Sequence, residues 1–150
     1  MIWNLLKDKI QFEEKIDNWK EAVVLAAQPL LKNKDIEPQY IDAMIEMAEK
    51  FNGYIVLNEL FAMPHASYKC GVNHLAISML ILHEPVDFMG KPVHVLLVLA
   101  PNNNTSHIEV LQEVAEYFQD VEFIRQMAQT KSIGEIETLL KKYYDCEVVL

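Results

Sequence analysis

The order of hydrophobic periods along the chain predicts an α/β fold, with a mixed β-sheet flanked by helices in a single domain. Three observations carry this prediction. Apolar residues recur at helical spacing over residues 17–50, run almost unbroken over residues 74–82 and 93–100, and return to helical spacing after residue 106. Apolar runs of that short length read as strands, and their continuity predicts cover on both faces. Helices before and after the strands are placed to supply it. A chain of 150 residues suits one domain, 1–150, with a sizeable core.

Each element follows from local signals. Residues 2–7 are expected to make one helical turn and residues 10–12 a short extended piece. Asp17 is the expected N-cap of a helix with the stripe Trp19, Ala22, Val23, Ala26 and Leu30, and Pro29 should kink or weaken its last turn. Pro38 signals the first turn of a second helix, whose face is Tyr40, Ile41, Met44, Ile45 and Ala48 and whose stop is Asn52-Gly53. Residues 54–57 and 61–63 read as short extended segments, and His74 and His94 fall in the two long strands. Between those strands, Glu84-Pro85-Val86-Asp87-Phe88 and Met89-Gly90-Lys91-Pro92 carry turn chemistry. After Pro101-Asn102-Asn103-Asn104, the capping-box pattern Ser106-x-x-Glu109 places His107 in the first turn of a helix running to about Phe118. Residues 121–128 give a further helix, Ser132-x-x-Glu135 opens another that ends near Tyr144, and residues 147–150 are expected to add a last strand.

Composition removes several function classes. The net charge is −9, with 13 Lys and Arg against 22 Asp and Glu, so nucleic acid is not the expected partner. Arg125 is the only arginine, which excludes an arginine-rich phosphate clamp. The acidic surface suits a basic protein partner, and serves solubility equally well. Cys70 and Cys146 make neither a disulfide framework nor a metal knuckle. A basic region followed by a long apolar segment is missing from the start, and the apolar runs are far short of a membrane span. A reducing cytoplasm is the expected location, without membrane insertion.

Few residues remain for chemistry. The four glycines, at 53, 71, 90 and 134, form no phosphate-cradling loop, so no nucleotide cofactor is expected. Neither Ser67 nor Cys70 stands in a nucleophile elbow. His83-Glu84-Pro85 lacks the second histidine of a helical zinc motif, and His65, Cys70 and His74 are irregularly spaced, so no metal is expected. Strand histidines such as His74 and His94 are mostly packed structural residues. One pair stands out. His65 closes the run Phe61-Ala62-Met63-Pro64-His65-Ala66, and His107 opens a helix; both follow a predicted strand, where ligand sites of α/β sheets collect. A helix N-terminus favours an anion such as a phosphoryl group. One imidazole can attack phosphorus while a second hydrogen-bonds the phosphoryl oxygens. On residue types alone a solvated loop histidine is the commoner reading of His65.

The same stretches resemble a known family. Trp19-Lys20-Glu21-Ala22, Glu37-Pro38-x-Tyr40, Phe61-Ala62-Met63-Pro64-His65-Ala66, Glu84-Pro85-Val86-Asp87-Phe88, the Asn-rich loop and Ser106-His107-x-Glu109-Val110-Leu111 are similar to the enzyme IIA domains of the phosphoenolpyruvate-dependent sugar phosphotransferase system. The likeness is to the fructose–mannitol superfamily, and most of all to the ascorbate-type IIA proteins. It implies a mannitol-type IIA fold and a role as phosphocarrier. His65 would accept a phosphoryl group from the carrier HPr, as a tele-phosphohistidine, and pass it to a cysteine of a IIB component. That component serves the membrane IIC component, an indirect partner of this chain. His107 would support the phosphoryl oxygens, and the resemblance admits a homodimer. No metal or other cofactor is implied. Phe61, Met63 and Tyr68 are candidates for an apolar ring around His65. After Pro-His-Ala, ascorbate-type proteins usually carry Arg-Pro-Glu; this chain has Ser67-Tyr68-Lys69-Cys70, a departure that bears on the sugar served more than on phosphoryl transfer. The alternative role is a regulatory IIA-like domain whose phosphorylation signals rather than feeds transport. A binding module without phosphoryl chemistry is the third class.

Overall fold

In the computed structural model, the long apolar runs pair as the centre of a five-stranded mixed sheet. The structure describes residues 2–51, 56–103, 105 and 107–149; for residues 57 and 143–149 the description is of backbone only. In chain order the elements are α1 (Ile2–Leu6), β1 (Ile10–Glu13), α2 (Trp19–Lys32), α3 (Pro38–Lys50), β2 (Val56–Asn58), β3 (Leu60–Ala62), a 3-10 turn (Tyr68–Cys70), β4 (Ala76–Phe88), β5 (Lys91–Ala100), α4 (Ile108–Phe118), α5 (Val121–Ala128) and α6 (Ile133–Val149). The strand order is β1-β4-β5-β3-β2. β4 and β5 are antiparallel, β1 runs parallel to β4, and β3 runs parallel to β5.

Alternation along β4 explains why its sequence is apolar throughout. Leu80 and Leu82 pack with Ala26, Leu30, Tyr40 and Met44 of α2 and α3. Ile77, Met79 and Ile81 point to the other face and meet Ile2 and Leu6 of α1, Val114 and Phe118 of α4, and Ile124 of α5. Each such side chain, withdrawn fully from water, contributes about 1.5–3 kcal/mol before chain entropy is set against it. Ser78 is the polar interruption, and its buried hydroxyl donates to the Ala26 carbonyl at 2.6 Å.

Pro29 sits inside α2 and removes the N–H that would bond the Leu25 carbonyl. The Gln11 side chain of β1 donates to that carbonyl instead, at 2.6 Å, and the helix continues for another turn. The cap of α2 is Asn18 rather than Asp17: its side-chain oxygen accepts the Glu21 N–H at 2.9 Å.

Three further expectations are corrected. β4 does not turn at Glu84-Pro85-Val86-Asp87-Phe88 but runs through to Phe88, with its ladder shifted between Ile81 and Val86. A bulge is where a strand tolerates a proline, because no ladder bond is required of it there. The chain reverses at Met89-Gly90, both at positive φ (53° and 96°), as a tight hairpin requires. His74 precedes β4 instead of lying in it. Residues 147–149 continue α6 rather than forming a strand, since no glycine or proline stops the helix after Tyr144. The stop at Asn52-Gly53 and the first residues of the extended segment 54–57 lie outside the described residues. Among the described residues, no helix is long and apolar enough to cross a membrane.

Candidate functional site

β3 and β5 are parallel, so both chains leave the sheet at the same end. β3 enters from β2 after a single residue, Glu59, with Leu60 held at φ 72°. That left-handed conformation in a non-glycine residue costs about 1–2 kcal/mol, which the surrounding packing must outweigh. Asn58 anchors the turn: its side-chain amide donates to the Phe118 and Gln119 carbonyls, both at 2.9 Å, and its oxygen accepts the Glu59 N–H. The strand that leads to His65 is thus tied to the C-terminal end of the helix that begins beside His107.

Beyond β3 the chain stays extended alongside β5. The Leu99 N–H donates to the Pro64 carbonyl at 3.0 Å. The Ala66 N–H donates to the Tyr40 hydroxyl at 2.9 Å, and that hydroxyl lies 2.7 Å from the Leu99 carbonyl. His65, between these anchors, is half-buried, and its Nδ1 lies 2.7 Å from the Met63 carbonyl. A carbonyl only accepts, so in the neutral ring Nδ1 carries the hydrogen and Nε2 keeps the lone pair. The tautomer follows from this contact.

β5 ends at Ala100, and the loop after it folds on its own side chains: the Thr105 N–H and hydroxyl both donate to Asn103 Oδ1. His107 is the N-cap of α4, one residue before the first helical position, with φ −90° and ψ −3°. Its side chain makes no capping bond, and its Nδ1 is buried with no hydrogen-bond partner among the described residues. Ser106, the expected capping residue, lies outside the described residues.

His65 and His107 line one cleft of about 380 Å³, together with Met63, Tyr68, Asn103 and Leu111. The structure therefore brings together the two histidines that the sequence singles out. The other three are engaged elsewhere: His74 Nδ1 faces Asp35 at 3.3 Å, His83 lies between Glu14 and the Thr130 carbonyl, and His94 Nδ1 is 2.8 Å from the Leu82 carbonyl. Of the apolar ring candidates, Tyr68 is half-buried at the cleft and Met63 lines it from the core. Phe61 is buried and does not line this cleft; it is stacked on Phe118 with ring centroids 4.3 Å apart. Cys70 is half-buried in the 3-10 turn and does not line the cleft. Lys69, also on that turn, is exposed with its ammonium 6.0 Å from the Tyr68 ring centre.

A larger cavity, about 840 Å³, lies beside β1 among Lys7, Lys9 and Lys32. Size is a poor guide here, because Lys9 is already paired with buried Asp35 at 2.9 Å and neither His65 nor His107 lines it. Tyr40 is the residue that sequence reasoning misses. The helical period shows it only as part of an apolar face, and the one available signal is that a buried tyrosine needs a partner for its hydroxyl.

Comparison with known proteins gives the family and the fold. The family model described as "Phosphoenolpyruvate-dependent sugar phosphotransferase system, EIIA 2" matches residues 4–143. The ascorbate-specific EIIA component of Mycoplasma pneumoniae is 28% identical over 121 residues, covering 79% of this chain and 76% of that protein. The mannitol-specific enzyme IIA component of Geobacillus stearothermophilus is 30% identical over 140 residues, covering 92% and 95%. Among solved structures, the mannitol-specific cryptic phosphotransferase enzyme IIA of Escherichia coli superposes with a TM-score of 0.79 at 25% identity, over 91% of this chain and 93% of that one. The same fold, at TM-score 0.76 and 23% identity over 90% and 95% of the chains, occurs in the Escherichia coli mannitol IIA enzyme solved in complex with phosphorylated IIB.

Proposed function

We propose that this chain, which belongs to the EIIA 2 family of the phosphoenolpyruvate-dependent sugar phosphotransferase system, is a cytoplasmic phosphocarrier that works through a phosphohistidine at His65. The observation that carries the reading is the His65–Met63 contact at 2.7 Å in a cleft shared with His107. A ring with its hydrogen on Nδ1 offers Nε2 as nucleophile, which is the tele position. In the first step the Nε2 lone pair attacks the phosphorus of phospho-HPr. The new N–P bond forms as the bond to the donor histidine breaks, and its electron pair returns to the donor ring. The second step reverses the roles: a IIB cysteine thiolate attacks, and the electron pair of the N–P bond returns to His65.

Both steps pass through a loose transition state whose charge is spread over three oxygens, so positioning and hydrogen-bond donors supply the catalysis. The Met63 carbonyl holds the His65 ring in one orientation and stabilises its Nδ1–H while Nε2 carries the phosphoryl group. His107 lines the same cleft at the start of α4, and brings to it an imidazole and the positive end of a helix. No metal or nucleotide takes part in these steps. The mannitol IIA protein solved with phosphorylated IIB supports IIB as the acceptor, and the sugar itself, ascorbate or a related substrate, is handled beyond this chain.

Phosphoenolpyruvate, enzyme I and HPr should label the protein at one acid-labile site, and phosphorus NMR should place the label on Nε2 of His65. Label at another residue, or none, would overturn the reading. Onward transfer to a IIB cysteine distinguishes a transport role from a signalling one.

A further inference from the structure

We propose that Tyr40 is a positioning residue for His65, acting through the backbone on either side of it. This inference rests on the phosphocarrier reading and concerns a residue that never meets the phosphoryl group. Tyr40 is wholly buried (0% exposed) on the face of α3 that packs against the sheet. Phenylalanine would fill the same apolar space, so the hydroxyl is the part that needs an explanation. It sits where the backbone ladder between the His65 segment and β5 gives out. Pro64 is still joined to β5 directly, its carbonyl accepting the Leu99 N–H at 3.0 Å. Ala66 is joined only through the phenol. Its N–H donates to the Tyr40 oxygen at 2.9 Å, and the hydroxyl hydrogen goes to the Leu99 carbonyl at 2.7 Å rather than to the more distant Ala66 carbonyl at 3.2 Å.

Both neighbours of His65 are therefore tied to the same residue of β5, one directly and one through Tyr40. The Met63 carbonyl that sets the His65 tautomer lies in the same segment. Removing the hydroxyl leaves a buried N–H and a buried carbonyl short of a partner, and the segment must shift to recover them. In-line transfer is sensitive to such a shift: a displacement of about 1 Å costs on the order of 100-fold in rate.

The test is Tyr40→Phe, with Gly90→Ala as a variant destabilised far from the cleft. For Tyr40→Phe, circular dichroism should report a retained fold. Phosphoryl uptake at saturating HPr should fall about 10- to 100-fold, with KM for HPr little changed because the residue is buried away from any partner. The nitrogen-15 imidazole spectrum should show His65 passing from a single Nδ1–H tautomer to a mixture. A folded Tyr40→Phe protein with wild-type rate and a single tautomer overturns the proposal, as does a rate loss matched by Gly90→Ala. If Tyr40→Phe does not fold, the wild-type protein decides. A single His65 tautomer together with an Ala66 amide protected from exchange supports the anchor; a tautomer mixture or an unprotected amide overturns it. A wild-type protein that takes no phosphoryl group defeats the phosphocarrier reading instead, and leaves the NMR measurements to judge the anchor.

Discussion

His65 and His107 line the same cleft, yet the chain holds them by opposite means. Around His65 the backbone is fastened at Pro64 and Ala66, and the ring itself is fastened to Met63. His107 stands at the cap of α4 with no side-chain capping bond and with a buried Nδ1 lacking a partner among the described residues. The difference fits two tasks. On the phosphocarrier reading, a nucleophile must be aimed before its donor arrives, whereas a ring at a helix start meets the phosphoryl oxygens together with the helix's positive end.

The sharpest way to break this comparison is to remove each ring in turn. His65→Ala should abolish labelling from phospho-HPr altogether, read as loss of acid-labile phosphate on a folded protein. His107→Ala should keep the acceptor and slow transfer by about 100- to 1,000-fold, the loss typical of one preorganised donor to a developing anion. Single-turnover uptake by rapid quench measures it. Equal losses in the two variants would mean that the histidines share one task, and full-rate transfer by His107→Ala would remove its supporting role.

Asn58→Ala probes the tie between the two housings. Its amide joins the β2–β3 turn to the end of α4 through the Phe118 and Gln119 carbonyls. Its loss should lower stability by about 1–2 kcal/mol, read by urea denaturation, and slow transfer only a few-fold, because the bonds at Met63, Pro64 and Ala66 that hold His65 remain. A loss as large as that of His107→Ala would show that the two are positioned as one unit.

The two housings also differ in how far they can be read from the sequence. The His107 side is legible because a helix start has local chemistry: an apolar stripe from Ile108 onward and a polar loop before it place the histidine within one residue. The His65 side is legible only as Pro-His at the end of a short strand. What fixes it is non-local: Tyr40 is 26 residues from Ala66, and Leu99 is met through the sheet. Periodicity says which face of α3 is buried and nothing about a hydroxyl on that face. The same limit explains β4. Glu84-Pro85-Val86 carries turn residues, and only pairing with β5 reveals that they form a bulge in a longer strand. For α2, Asp17 and Asn18 are equally good caps in sequence, and the observed bond to the Glu21 N–H selects Asn18. The helices are legible because their apolar faces repeat within a single segment.

The smallest expected effect is the control on which the others depend. Gly90 lies at φ 96° in the β4–β5 turn, and a methyl group added there would meet no atom within 4 Å, so Gly90→Ala is opposed by backbone strain and not by packing. The cost should be about 1 kcal/mol, seen as a fall in Tm of about 2–4 °C for a chain of this size. The hairpin reverses at the end of the sheet opposite to Ala76 and Ala100, which pair beside the cleft. Phosphoryl transfer by Gly90→Ala should therefore match the wild type at temperatures below its transition. If it slows, small losses of stability reach the cleft through the sheet, and the rate effects expected for Asn58→Ala and Tyr40→Phe would lose their local meaning. If it does not, those losses belong to the bonds of Asn58 and Tyr40 themselves.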